Sequence, residues 1–171
     1  YDTAIELMQQ AGEPRRAARK WWTERRILTR WLLRKDRVQE AYELVRGHGQ
    51  SDGLPMAEGE WLAGWIALRG LHRHVDSFEH FKRMFENVSY PVSKARAAYW
   101  AGRAAEASGE ITISQQWYAV SARHVTSFYG QLAAAKLPAT ERPSFPPEPK
   151  TSKNDRTAFA NLELVRLVRM L

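Results

Sequence analysis

Three stretches of this sequence carry an acid or hydroxyl residue followed three positions later by Gln or Glu: Asp36 with Gln39, Asp76 with Glu79, and Thr112 with Gln115. Such a pair satisfies two orphan amides at a helix start, so each predicts a helix N-terminus. The three lie 40 and 36 residues apart. A near-constant interval of that size is the period of a repeating helical hairpin.

The residues after each start follow helical spacing: Val38, Ala41, Tyr42 and Val45; then Phe78, Phe81, Met84 and Phe85; then Trp117, Tyr118 and Ala122. Apolar residues at i, i+3, i+4 and i+7 line one face of a helix. Each of these helices is predicted to follow a partner, over 22–35, 57–71 and 93–108. Gly47, Gly49, Gly70 and Gly109 stand at the expected turns. Pro55 and Pro91 are read as barriers ahead of the next hairpins. Hairpins of this kind bury their apolar faces only against neighbours, which predicts an all-α superhelix, a tetratricopeptide-like solenoid, over 1–137. A short helix over 128–137 completes it. Residues 138–155 hold five prolines and read as a linker. An amphipathic helix over 156–171, with Phe159, Leu162, Val165, Leu167 and Leu171, is expected either to dock on the solenoid or to open a further domain.

Composition removes several function classes. The chain has no cysteine, which excludes disulfides, thiol nucleophiles and Cys-based zinc sites. No apolar run reaches the length of a membrane span. The first residues, Tyr1-Asp2-Thr3, are expected to mark an internal cut from a longer polypeptide. The net charge of +7 is concentrated between Arg15 and Arg37, where ten Lys or Arg face only Glu24 and Asp36. Arg15, Arg19, Arg26, Arg30, Arg34 and Arg37 recur at spacings that line one helical face. That face suits solvent or an anionic partner. Nucleic acid is not expected, because Trp21, Trp22, Ile27, Leu28, Trp31 and Leu32 make the same helix apolar and no recognition motif accompanies it.

Several strings resemble the helical domain of the soluble lytic murein transglycosylases. Residues Glu60-Trp61-Leu62-Ala63-Gly64-Trp65-Ile66-Ala67-Leu68-Arg69 resemble that family's Gly-Trp-Ile-Ala-Leu-Arg helix, with His80-Phe81 in the next. Ala95-Arg96-Ala97-Ala98-Tyr99-Trp100-Ala101-Gly102-Arg103-Ala104 resembles its Ala-Arg-Ala-x-Tyr-Trp-x-Gly-Arg-Ala run, and Trp117-Tyr118 follows. Ser127-Phe128-Tyr129-Gly130-Gln131-Leu132-Ala133 resembles its Phe-Tyr-Gly-Gln-Leu-Ala segment. Order and spacing agree from about Arg26 to Leu137. The resemblance implies a periplasmic parent with a lysozyme-like domain that cleaves between N-acetylmuramic acid and N-acetylglucosamine, one Glu serving as acid and base and leaving a 1,6-anhydro sugar. That family sets its catalytic Glu before a Ser, and this sequence contains no Glu-Ser pair.

The chain therefore reads as a non-catalytic scaffold that touches glycan strands weakly and serves a catalytic domain outside this sequence. The alternative is a stand-alone adaptor that holds a peptide or protein in its groove. Candidate contacts with glycan or partner are Arg26, Arg30, Arg34, Trp100 and Arg103. Gly64, Trp65, Tyr99, Trp100, Gly102, Arg103, Phe128, Tyr129, Gly130 and Gln131 form the structural motif of the resemblance, and its aromatic residues, with Trp61, are read chiefly as packing residues. Glu58 and Glu60, two apart on a helix, face different ways and read as first-turn residues suited to the helix dipole, not as a paired-carboxylate site. His72 and His74 lack a third ligand at useful spacing, so neither metal nor cofactor is predicted.

Overall fold

A computed structural model describes residues 1–10, 18–145 and 147–170. Those residues are helical with no strand. Helix α1 spans Asp2–Gln10, α2 Ala18–Arg34, α3 Val38–Arg46, α4 Gly53–Arg69, α5 His74–Asn87, α6 Pro91–Ala107, α7 Ile111–Ala122 and α8 Phe128–Lys136. A 3-10 turn at Ala139–Glu141 follows, then α9 at Lys153–Ala160 and α10 at Glu163–Val168. Arg15 and Leu171 lie outside the described residues.

The fold is the expected all-α stack of hairpins, each helix packing on the next from α2 to α8. Along one side the even-numbered helices also meet each other, α2 on α4, α4 on α6 and α6 on α8. On the other side α1 meets α3, while α5 reaches α7 through long side chains, Phe78 and Phe85 standing edge-on to Trp117 at 5.9 and 5.2 Å. A stack that closes up more on one side curves toward it, so the even helices form the inner face.

Small residues set the close spacing. A Cβ built on Gly64 would stand 2.8 Å from the Phe81 ring, and one on Gly102 would stand 2.8 Å from the Tyr118 ring. Phe81 is fully buried as a result, and sealing a side chain of that size contributes about 2–3 kcal/mol. Gly109 takes φ +83 just past α6, where its amide bonds back to the Glu106 carbonyl. That left-handed helix cap favours glycine.

The three expected capping pairs do not form. Helix α3 starts at Val38 behind Arg37, and α5 starts at His74 behind Arg73, neither with a side-chain cap. Helix α7 starts at Ile111, which puts Thr112 inside it. Asp36 adopts φ 58 in the turn before α3, and Asp76 lies in the first turn of α5. Side-chain caps occur elsewhere: Ser127 accepts from the Gly130 amide at 3.0 Å, and Ser152 with Asp155 makes a capping box at α9. Pro55 is a second correction, since it stands inside the first turn of α4 and not ahead of it. The helix expected over 156–171 is instead two short ones broken at Asn161, with Phe159, Leu162 and Leu167 exposed.

Candidate functional site

The most organised polar site gathers around Glu60, which the sequence reading placed at a helix start. Helix α4 begins at Gly53, so Glu60 lies well inside it, only 8% exposed. Both Glu58 and Glu60 thus lose their first-turn role. Their side chains do diverge: Glu58 turns to α2, accepting from Trp22 Nε1 at 3.0 Å and pairing with Arg26 at 3.1 Å.

Glu60 faces α5 and the loop after α3. His80 Nδ1 lies 2.6 Å from its Oε2, while Arg83 Nε and His48 Nε2 lie 3.1 and 3.3 Å from Oε1. The partners assign the imidazole tautomers. The Gln50 backbone N–H donates to His48 Nδ1 at 3.0 Å, so His48 donates to Glu60 through Nε2–H. His80 Nδ1 also lies 2.9 Å from Arg83 Nη2, but its shorter approach to the Glu60 carboxylate assigns Nδ1–H as the donor there, and Nε2 lies 3.2 Å from the Tyr42 hydroxyl. Burial by itself would raise the Glu60 carboxyl, but the hydrogen bonds from His48, His80 and Arg83 outweigh it and hold the group well below the ordinary value.

Tyr42, His80 and Glu60 stand in the order of a hydroxyl–imidazole–carboxylate relay. The hydroxyl is nevertheless poorly suited to attack. Burial and the nearby Asp76 charge push its pKa up, Tyr42 is 2% exposed, and Arg73 and Arg46 lie over its ring at 5.4 and 5.9 Å. An open cleft of about 540 Å³ adjoins the relay, with Glu43, Asp76 and Glu79 on its walls. The arrangement can clamp α3, α4 and α5 together. It cannot readily hold a proton on Glu60, whose carboxylate is the favoured form.

The inner face holds most residues predicted to meet a partner. Arg26 is engaged by Glu58, whereas Arg30 and Arg34 are exposed and without an ion pair among the described residues. Trp100 stacks on Phe81 at 5.9 Å and meets Trp61 edge-on at 6.2 Å. Arg103 donates to the Tyr99 hydroxyl at 3.2 Å and pairs with Glu106 at 3.3 Å. The predicted contacts therefore do not form one site. The residues that resemble a family motif sit at helix seams: Trp65 on Trp61 at 6.4 Å, Tyr99 between Tyr118 and Tyr129 at 5.9 and 5.5 Å, and Gly130 buried beneath the His124 carbonyl. Phe128 and Gln131 are the exceptions to the packing reading: Phe128 starts α8 with its ring 69% exposed, and the exposed Gln131 reaches out to the Val125 carbonyl at 3.3 Å.

His72 and His74 lie edge-on, 6.3 Å between centroids. Among the described residues no group of three His, Cys, Asp or Glu is placed to hold a metal, and no helix is long and apolar enough to cross a membrane. No protein-family model, curated protein or solved structure matches this chain.

Proposed function

We propose that this chain is a non-catalytic superhelical scaffold of a periplasmic peptidoglycan lytic transglycosylase, whose cleavage of the glycan is performed by a catalytic domain that this chain does not contain. One observation carries the reading. The residues in the strings that resemble that family serve the seams of the stack, with Gly64 against Phe81, Gly102 against Tyr118 and Trp100 on Phe81. They have the character of a curved support. The electrostatics agree: a single glutamate acting as acid and base needs a pKa raised toward the working pH. Glu60 is held in the opposite direction by three donors, and Glu58 is tied to Arg26 and Trp22.

The test is to incubate the chain with purified murein sacculi. The expected result is weak, salt-sensitive retention on the sacculi and no release of anhydromuropeptides. Robust release would overturn the scaffold reading.

A second reading, a peptide- or protein-holding adaptor, is favoured by the exposed apolar edge at Phe128, 69% exposed on α8 of the inner layer. Capture of one defined protein at low micromolar Kd with no retention on murein would select it.

A further inference from the structure

The geometry points to Arg96, stacked on the Trp61 indole, as the anchor of a carboxylate-binding site. The inference needs only this stacked pair and holds whatever the scaffold serves. Arg96 lies on α6 between the buried Ala95 and Ala97. Its guanidinium carbon stands 4.0 Å from the Trp61 ring centroid, across the seam to α4. Stacking of this kind fixes the plane of the fork and leaves its N–H edge to a planar acceptor.

Arg96 differs from the other described arginines that are buried or half-buried. Arg25 donates to the Leu44 carbonyl, Arg26 pairs with Glu58, Arg37 and Arg73 with acids on α3, and Arg103 with Glu106. Arg96 has neither a hydrogen bond nor an ion pair among the described residues. Tyr129 and Glu58 act on it electrostatically without a hydrogen bond, and Glu58 is already engaged by Arg26 and Trp22. Burial pushes the guanidinium pKa down, the sign of a cation held without full hydration or a counter-ion.

The same seam holds other donors without partners. Trp61 Nε1, Trp100 Nε1 and Arg96 Nε are buried donors without partners. Of the three Arg96 nitrogens, only Nε is sealed in this way. A cluster of donors beside a half-buried cation suits a ligand that only accepts, and a carboxylate matches the open end of the guanidinium fork. The indole face favours an organic carboxylate over a bare ion. Arg30 and Arg34, exposed on α2 of the same inner layer, add a field that draws anions.

The experiment follows the indole Nε1–H resonances of the ¹⁵N-labelled full chain while phenylacetate is added. The neutral phenylacetamide and inorganic phosphate serve as comparison arms, and Trp61→Phe assigns the Trp61 resonance. Phenylacetate is expected to move the Trp61 resonance saturably, phenylacetamide not at all, and phosphate only at higher concentration. Arg96→Gln should weaken the phenylacetate response about tenfold or more, the scale of a lost charged hydrogen bond. Arg96→Lys, which keeps the charge but not the fork, should fall between, and it replaces Arg96→Gln if circular dichroism shows that variant unfolded. The proposal fails if no saturable shift occurs, if the amide acts as well as the acid, or if Arg96→Gln and Arg96→Lys both respond as the parent does. Saturation by phosphate without phenylacetate would overturn the carboxylate assignment.

Discussion

Glu60 and Glu106 each tie three consecutive elements of the stack, but under opposite conditions. Glu60 has a side chain 11% exposed and is met by two imidazoles and one guanidinium. Glu106 is 36% exposed and accepts from Tyr118 on α7 at 2.8 Å and Lys136 on α8 at 2.9 Å, with Arg103 at 3.3 Å on its own helix. For both, burial alone would raise the carboxyl and hydrogen bonds reverse the effect: His48, His80 and Arg83 for Glu60, Lys136 and Tyr118 for Glu106. The difference lies in the donors. A buried carboxylate gains little from more buried charge, because each ion brought in carries its own desolvation cost. At Glu60 two imidazole N–H groups satisfy lone pairs inside the fold, and the one guanidinium, that of Arg83, is itself half exposed. The more exposed carboxylate can use an ammonium, since Lys136 keeps part of its hydration at 38% exposure. The inner lock should respond to proton concentration and packing, and the outer one to salt.

Removing the buried member should break this comparison most visibly. Glu60→Ala strands the donors of His48 and His80 in a sealed site and leaves a cavity. Each buried unsatisfied donor costs about 1–3 kcal/mol, so a loss of about 3 kcal/mol or more is expected. Urea denaturation at pH 7, with the midpoint and slope fitted together, measures it. A loss below about 1 kcal/mol would mean that the seam holds by apolar contact alone.

Acid titration sharpens the same contrast. The folded Glu60 carboxyl titrates below its ordinary value of 4.5, so across that range the unfolded chain binds more protons than the folded one. Its contribution is then complete above about pH 4.5 and is lost as the pH falls toward the folded value. Protonated Glu resembles Gln in shape. The stability gap between the parent chain and Glu60→Gln should be full at pH 7 and narrow below about pH 4.5. The gap for Glu106→Gln should narrow in the same direction but start smaller, because its carboxylate is more exposed. Parallel urea series from pH 7 to pH 3 test this, and a Glu60→Gln gap that widens in acid would reverse the assignment.

The two locks also mark what the sequence could reveal. The stacked hairpins were readable because apolar residues at helical spacing, such as Ala41, Tyr42 and Val45, are written locally and are all buried. Helix starts were not readable at the same precision. A capping pair works only when its first residue occupies the cap, and Asp36 instead took a left-handed turn while Arg37 paired with Glu40 at 2.6 Å. Pro55 misled in another way. In the first turn of a helix a proline loses no hydrogen bond, so α4 could begin at Gly53 and carry Glu60 into the interior. The Glu60 network was invisible for a third reason. His48, Glu60 and His80 are separated by 12 and 20 positions and meet only through tertiary packing. In sequence Glu60 reads as a first-turn acid beside Glu58, because nothing local marks His48 and His80 as its partners.

The smallest effect separates the locks most cleanly. Lys136→Met removes one donor to Glu106 but keeps the aliphatic stem that lies toward the Tyr118 ring, where Lys136 Nζ sits 5.9 Å from the centroid. Glu106 retains Tyr118 and Arg103. The expected loss is about 0.2–1 kcal/mol at low salt, the range of exposed ion pairs. Raising ionic strength from about 0.01 M to 1 M shortens the screening length from about 30 to 3 Å, so this loss should shrink toward zero. The Glu60→Ala loss should change far less over the same range, because most of it comes from stranded buried donors and lost packing. Urea midpoints for both variants at the two ionic strengths check the pair together. If salt reduced both losses equally, burial would not shield the Glu60 contacts from screening, and the contrast between the two sites would fail.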